Sequence, residues 1–127
     1  MGYESRLYIV SKGLIQHKAT GLYWAEKIAE FNLCCVDNFV LKDIEKYGKD
    51  TTCYFDSDDD FEPIIKDLYN DPITEISLND MIGILKNAVN NSDYRRYQPC
   101  LAMLESFARG VLYGQWGDGL VVLHYGY

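Results

Sequence analysis

A chain of 127 residues with 48% apolar content and a net charge of −7 has the size and composition of one folded domain. It contains no run of eighteen apolar residues, which excludes a conventional membrane-spanning helix. Its Met-Gly-Tyr-Glu-Ser opening lacks the basic and apolar regions of a secretory signal, so a cytoplasmic setting is expected. Residues 43–75 hold eleven acids against three lysines, a net of −8, and the rest of the chain carries +1. A surface so charged repels phosphate backbones and suits basic protein partners, which disfavours direct nucleic-acid binding.

The first predicted element is a buried strand over residues 3–10, closing at Ser11-Lys12-Gly13. From Trp24 to Val36 the periodicity fits both helix and strand, and the Phe31–Val36 stretch favours strand. Val40, Ile44 and Tyr47 recur at helical spacing and Gly48 follows as a stop, which predicts a short helix over Phe39–Tyr47. Thr51-Thr52-Cys53-Tyr54-Phe55 reads as a third strand cut off by the acids that follow. Leu78, Met81, Ile82, Leu85 and Val89 form one apolar stripe behind a capping Ser77, the clearest helix in the chain. A further helix is expected from about Gln98, since Pro99 is tolerated in a first turn, to Gly110, with Arg95 and Arg96 in its approach. After the turn Gly114–Gly119, Leu120–Tyr125 reads as a buried terminal strand. The expected fold is one α+β domain over residues 1–127: an antiparallel or mixed sheet of about four strands with about three helices on one face.

Asp56-Ser57-Asp58-Asp59-Asp60-Phe61-Glu62 is the most unusual segment. As an EF-hand loop it fails, because Phe61 stands where the sharp turn needs glycine and Asp67 where a bidentate glutamate belongs. A solvated loop is the plain reading, with a weak calcium or magnesium site of non-EF type as an alternative. The functional reading makes Asp56, Asp58, Asp59, Asp60, Phe61 and Glu62 a partner-binding patch whose acids imitate phosphates at a basic surface.

The four cysteines, Cys34, Cys35, Cys53 and Cys100, show no metal-ligand spacing and read as free thiols. Arg95, Arg96 and His124 form a candidate anion or nucleotide pocket, weighed against arginines that are simply solvated and a histidine bonded within the core. No catalytic residue, metal site or cofactor is expected, and the eleven tyrosines would also serve a homo-oligomeric interface.

Three segments together carry a resemblance: the opening Met-Gly-Tyr-Glu-Ser-Arg-Leu-Tyr-Ile-Val, the Tyr94-Arg95-Arg96 approach to Pro99, and the closing Leu-Val-Val-Leu-His-Tyr-Gly-Tyr. The chain resembles small uncharacterised proteins of phages and prophages of Gram-positive bacteria. The resemblance implies a non-enzymatic, anti-CRISPR-like or other anti-defence inhibitor, acting in the host cell on a host protein such as a CRISPR nuclease. The alternative is a small-molecule, nucleotide or metal-binding domain with enzymatic activity.

Overall fold

The computed structural model describes residues 5–16, 18, 21–33, 36–54, 73–92, 94–112 and 120–126. Their elements follow the order β1 (Ser5–Gln16), β2 (Tyr23–Leu33), α1 (Asn38–Tyr47), β3 (Lys49–Asp50), β4 (Cys53–Tyr54), β5 (Thr74–Ser77), α2 (Leu78–Asn91), α3 (Tyr94–Leu112) and β6 (Leu120–Gly126). The six strands form one sheet in the order β3-β5-β6-β1-β2-β4, antiparallel throughout except for the parallel pair β2–β4. Two of the six are only two residues long, so the expected α+β fold of about four principal strands and three helices is what the chain forms.

Alternation along the strands divides the apolar residues between two faces. Leu7 and Ile9 of β1, Ile76 of β5, and Leu120 and Val122 of β6 meet all three helices in the main core. There they pack against Val40 and Ile44 of α1, Met81, Leu85 and Ala88 of α2, and Tyr97, Leu101 and Leu104 of α3. Tyr8, Val10 and Leu123 point the other way and cluster with Ala25, Cys53 and Ile73.

The sheet cannot be flat. Strands β3 and β4 occupy its opposite edges, yet only Thr51 and Thr52 separate them. Six strands laid flat would put the edges about 24 Å apart. The stretch from Asp50 to Cys53 spans at most about 11 Å. The sheet therefore curls toward a barrel, with residues 51 and 52 closing one corner. The Thr51 N–H donates to the Ile73 carbonyl at 3.1 Å on one side, and the Tyr23 N–H donates to the Thr52 carbonyl at 2.6 Å on the other. A bulge assists the curl, because Ile9 pairs with Ala29 and Val10 with Lys27, which leaves Ile28 as the extra residue in β2.

Three boundaries differ from the sequence expectation. β1 continues through Ser11-Lys12-Gly13 to Gln16, because Lys12 is a strand residue with a buried partner and not a solvated stop. α3 begins at Tyr94, placing Pro99 in its second turn. Residue 99 is the sixth of the helix, just beyond the four N–H groups that lack an intrahelical acceptor, so its proline forgoes one bond, the one to the carbonyl of Arg95. Tyr97, fully buried, anchors that early turn, and Gly110 lies inside the helix instead of ending it. Of the expected strand over 51–55, only Cys53–Tyr54 is strand, as β4; Thr51 and Thr52 form the corner between it and β3, and Phe55 lies outside the described residues. α2 matches closely, and the Asp80 N–H donates to Ser77 Oγ at 3.1 Å as its cap. Among the described residues no helix is long and apolar enough to cross a membrane.

Two glycines give opposite tests of this packing. A Cβ on Gly48 would overlap Thr74 Cγ2 and the Ile44 carbonyl oxygen, whereas one on Gly83 would meet nothing within 4 Å. Gly48→Ala should destabilise the fold by about 1–3 kcal/mol through overpacking. Gly83→Ala, in an exposed helix interior, should stabilise it by up to about 1 kcal/mol. Urea unfolding of the two variants checks both signs.

Candidate functional site

The closed corner is built around a carboxylate that sequence reading passed over. Glu75 lies on β5 with Lys49 as its β3 partner and Leu123 as its β6 partner, and it is only 3% exposed. Its Oε1 accepts from the Thr52 N–H at 3.2 Å, Thr52 Oγ1 at 3.1 Å, Thr51 Oγ1 at 3.4 Å and Cys53 Sγ at 3.3 Å. Its Oε2 lies 3.7 Å from Lys12 Nζ and 3.5 Å from Lys49 Nζ. Lys12 also donates to Thr52 Oγ1 at 2.6 Å and sits over the Tyr23 ring at 4.7 Å. Lys49 is largely solvent-exposed, so Lys12 is the cation that matters to Glu75. Burial pushes the Glu75 carboxyl upward, but the bonds from Thr52 and Cys53 and the charge of Lys12 outweigh it and hold the group below the usual carboxylate range.

A second anionic hub lies where β2 hands over to α1. Asp37 occupies the N-cap position of α1, yet its side chain makes no capping bond and turns instead to the α2–α3 junction. Asp37 Oδ2 accepts from Ser92 Oγ at 2.5 Å and from the Tyr97 hydroxyl at 2.8 Å, with Arg96 Nη1 at 3.7 Å. The Asp37 N–H donates back to the Tyr97 oxygen at 3.0 Å. The Ser92 and Tyr97 bonds lower the Asp37 carboxyl despite its partial desolvation, and Arg96 adds to them. Burial raises the Tyr97 phenol.

The three residues of the candidate pocket receive separate settings. Arg96 is directed to Asp37, Arg95 is exposed on the first turn of α3, and His124 is half-buried on β6 with Nε2 2.8 Å from Ser5 Oγ. Residues 119 apart in sequence thus form a serine–histidine pair that no local pattern announces. Its geometry is that of a nucleophile and base, but Ser5 is 1% exposed, so its hydroxyl is shielded from any substrate and serves to join β1 to β6. The cysteines point the same way. Cys53 and Cys100 are free and buried, with thiols pushed up to about 12, Cys53 by burial and the Glu75 charge and Cys100 by burial alone. Neither is a thiolate near neutral pH. Among the described residues no three histidine, cysteine, aspartate or glutamate side chains converge as metal ligands.

The acidic patch Asp56–Glu62, Cys34, Cys35, His17 and the turn Gly114–Gly119 lie outside the described residues. The attachment of residues 55–72 is nonetheless defined at both ends. They depart after Tyr54 of β4 and return at Ile73, whose carbonyl is bonded to Thr51 in the closed corner. These eighteen residues hold seven acids and one lysine, a net of −6, so nearly all the excess charge of the protein is attached at one corner of the sheet. Comparison with protein-family models, curated proteins and solved structures finds no match to this chain.

Both hubs make the fold acid-sensitive. Asp37 and Glu75 are depressed in the folded state, so their stabilising contribution is complete at neutral pH and is lost as the pH falls through and below the usual carboxylate range. Urea midpoints measured across that range should fall with pH, and the Asp37→Asn, Glu75→Gln double variant should show a flatter dependence. Lys12→Met should cost about 1–3 kcal/mol at neutral pH, less than for a fully buried pair because Lys12 is part-exposed.

Proposed function

We propose that this protein is a non-catalytic, phage-encoded inhibitor that binds a host defence protein in the anti-CRISPR manner, setting its acidic segment against a basic nucleic-acid groove. The observation that carries the reading is the concentration of charge: residues 55–72 hold a net −6 and are attached by both ends to the Glu75 corner. Charge presented from a fixed base steers association with a positively charged groove and competes with the phosphates that normally fill it. The perturbed groups of the described residues are consistent with a binding role, since their carboxylates hold structural hydrogen bonds and their thiols are protonated. The alternative, a nucleotide pocket formed by Arg95, Arg96 and His124, draws less support because Arg96 already faces Asp37 and His124 already bonds Ser5.

The test is capture of a nucleic-acid-binding protein from host lysate by wild type and by an Asp58→Lys, Asp59→Lys, Asp60→Lys variant, with thermal unfolding as the folding control. Wild type should retain a protein whose nucleic-acid binding it blocks, with retention falling steeply as salt rises. The triple variant should retain none. Retention that ignores both salt and charge reversal would sink the proposal.

A further inference from the structure

The outer faces of α1 and α2 border a groove of about 450 Å³ whose lining includes none of the perturbed groups described above. Asp43 and Tyr47, one turn apart, form the α1 wall, and Asn79, Asp80, Gly83 and Asn87 line the α2 side with Ile84. We propose that this groove receives an arginine side chain projecting from the basic surface of the protein partner, a proposal that rests on the inhibitor reading and adds a second contact to it.

Three observations carry it. Both carboxylates of the groove, Asp43 and Asp80, lack an ion-pair or hydrogen-bond partner among the described residues, whereas Asp37 and Glu75 each accept from two or more donors. Two carboxylates bordered by asparagine side chains offer the charge and the acceptors that a guanidinium requires. Gly83 supplies the space. A glycine in mid-helix is costly to the helix, and among the described residues nothing approaches it closely enough to require it, so its effect is to leave the groove open between the walls. Tyr47, 52% exposed, offers an apolar rim for the stem of a long side chain. Lys46 Nζ already lies 5.3 Å from the centre of the Tyr47 ring, so the incoming cation is held by the carboxylates and not by the ring face.

Position favours the same partner. Tyr47 adjoins Gly48, which abuts Thr74, and Thr74 is the second residue after the acidic segment rejoins the fold. A basic surface engaged by that segment would lie beside the groove.

The probe is a blocked Gly-Arg-Gly peptide, with the neutral citrulline peptide as control, titrated at low salt into the isotopically labelled full chain and read by amide chemical shifts. The arginine peptide should move the amides of Asp43, Tyr47, Asp80 and Gly83, and the citrulline peptide should not. The Asp43→Asn, Asp80→Asn variant should weaken binding about tenfold or more. Gly83→Gln should weaken it comparably while raising the thermal midpoint, which separates filling of the groove from loss of fold. The Asp58, Asp59, Asp60 charge-reversal variant should bind the peptide as wild type does. Failure of that variant to lose the host partner would therefore strike the inhibitor reading and leave groove binding intact. Shifts elsewhere, equal binding of the citrulline peptide, or indifference to the Asp43 and Asp80 substitutions would overturn the groove proposal. Tighter binding of agmatine than of the peptide would overturn a protein-borne occupant.

Discussion

The buried carboxylate of Glu75 is the contact on which the shape of the sheet depends. Its acceptor atoms are shared among β5, the Thr51–Thr52 bridge, Cys53 at the head of β4 and Lys12 at the far end of β1. Those elements come from both edges of the sheet, so the carboxylate joins what an open sheet would keep apart. A charge in such a place is costly when alone and stable only when its donors are supplied. Here they come mostly from two threonines and a backbone N–H, groups fixed by the crossing itself, so the curl of the sheet and the burial of the acid require one another.

Asp37 performs the matching task among the helices. Its bonds to Ser92 and Tyr97 tie the start of α1 to the junction of α2 and α3, while apolar packing alone would allow those elements to slide. The main core provides the bulk of the favourable burial, and the two anionic hubs select one arrangement of it. In both cases the long-range partner is a hydroxyl or an ammonium on an element far away in sequence.

This distribution of roles explains what the sequence disclosed and what it withheld. The apolar stripe of α2 and its Ser77 cap are local, and both were readable. The fold class followed from strands at both ends with helices late in the chain. β5 was not anticipated, because Thr-Glu-Ile-Ser is too short and polar to show a strand period, and it is held in place by neighbours more than forty residues further along. Lys12 read as punctuation because a lysine after apolar residues ordinarily marks solvent, and only the folded sheet brings Glu75 to it across 63 positions. Tyr97 obscured the start of α3 in the same way, since the proline two residues later is the stronger local signal. Of the site residues, Arg96 faces an anion that belongs to the chain itself, Asp37, and no local pattern links the two.

Residues 55–72 leave and rejoin the described fold at a single corner, so the distance their ends must bridge is set by that corner and not by their number. Closing a longer loop costs little, about 0.6 kcal/mol for each doubling in length. The corner thus works as a socket: the sheet, the helices and the Glu75 network specify where an insert leaves the described fold and where it returns. A lineage could exchange one insert for another of different charge or length while keeping the same scaffold, and recognition could diverge much faster than architecture.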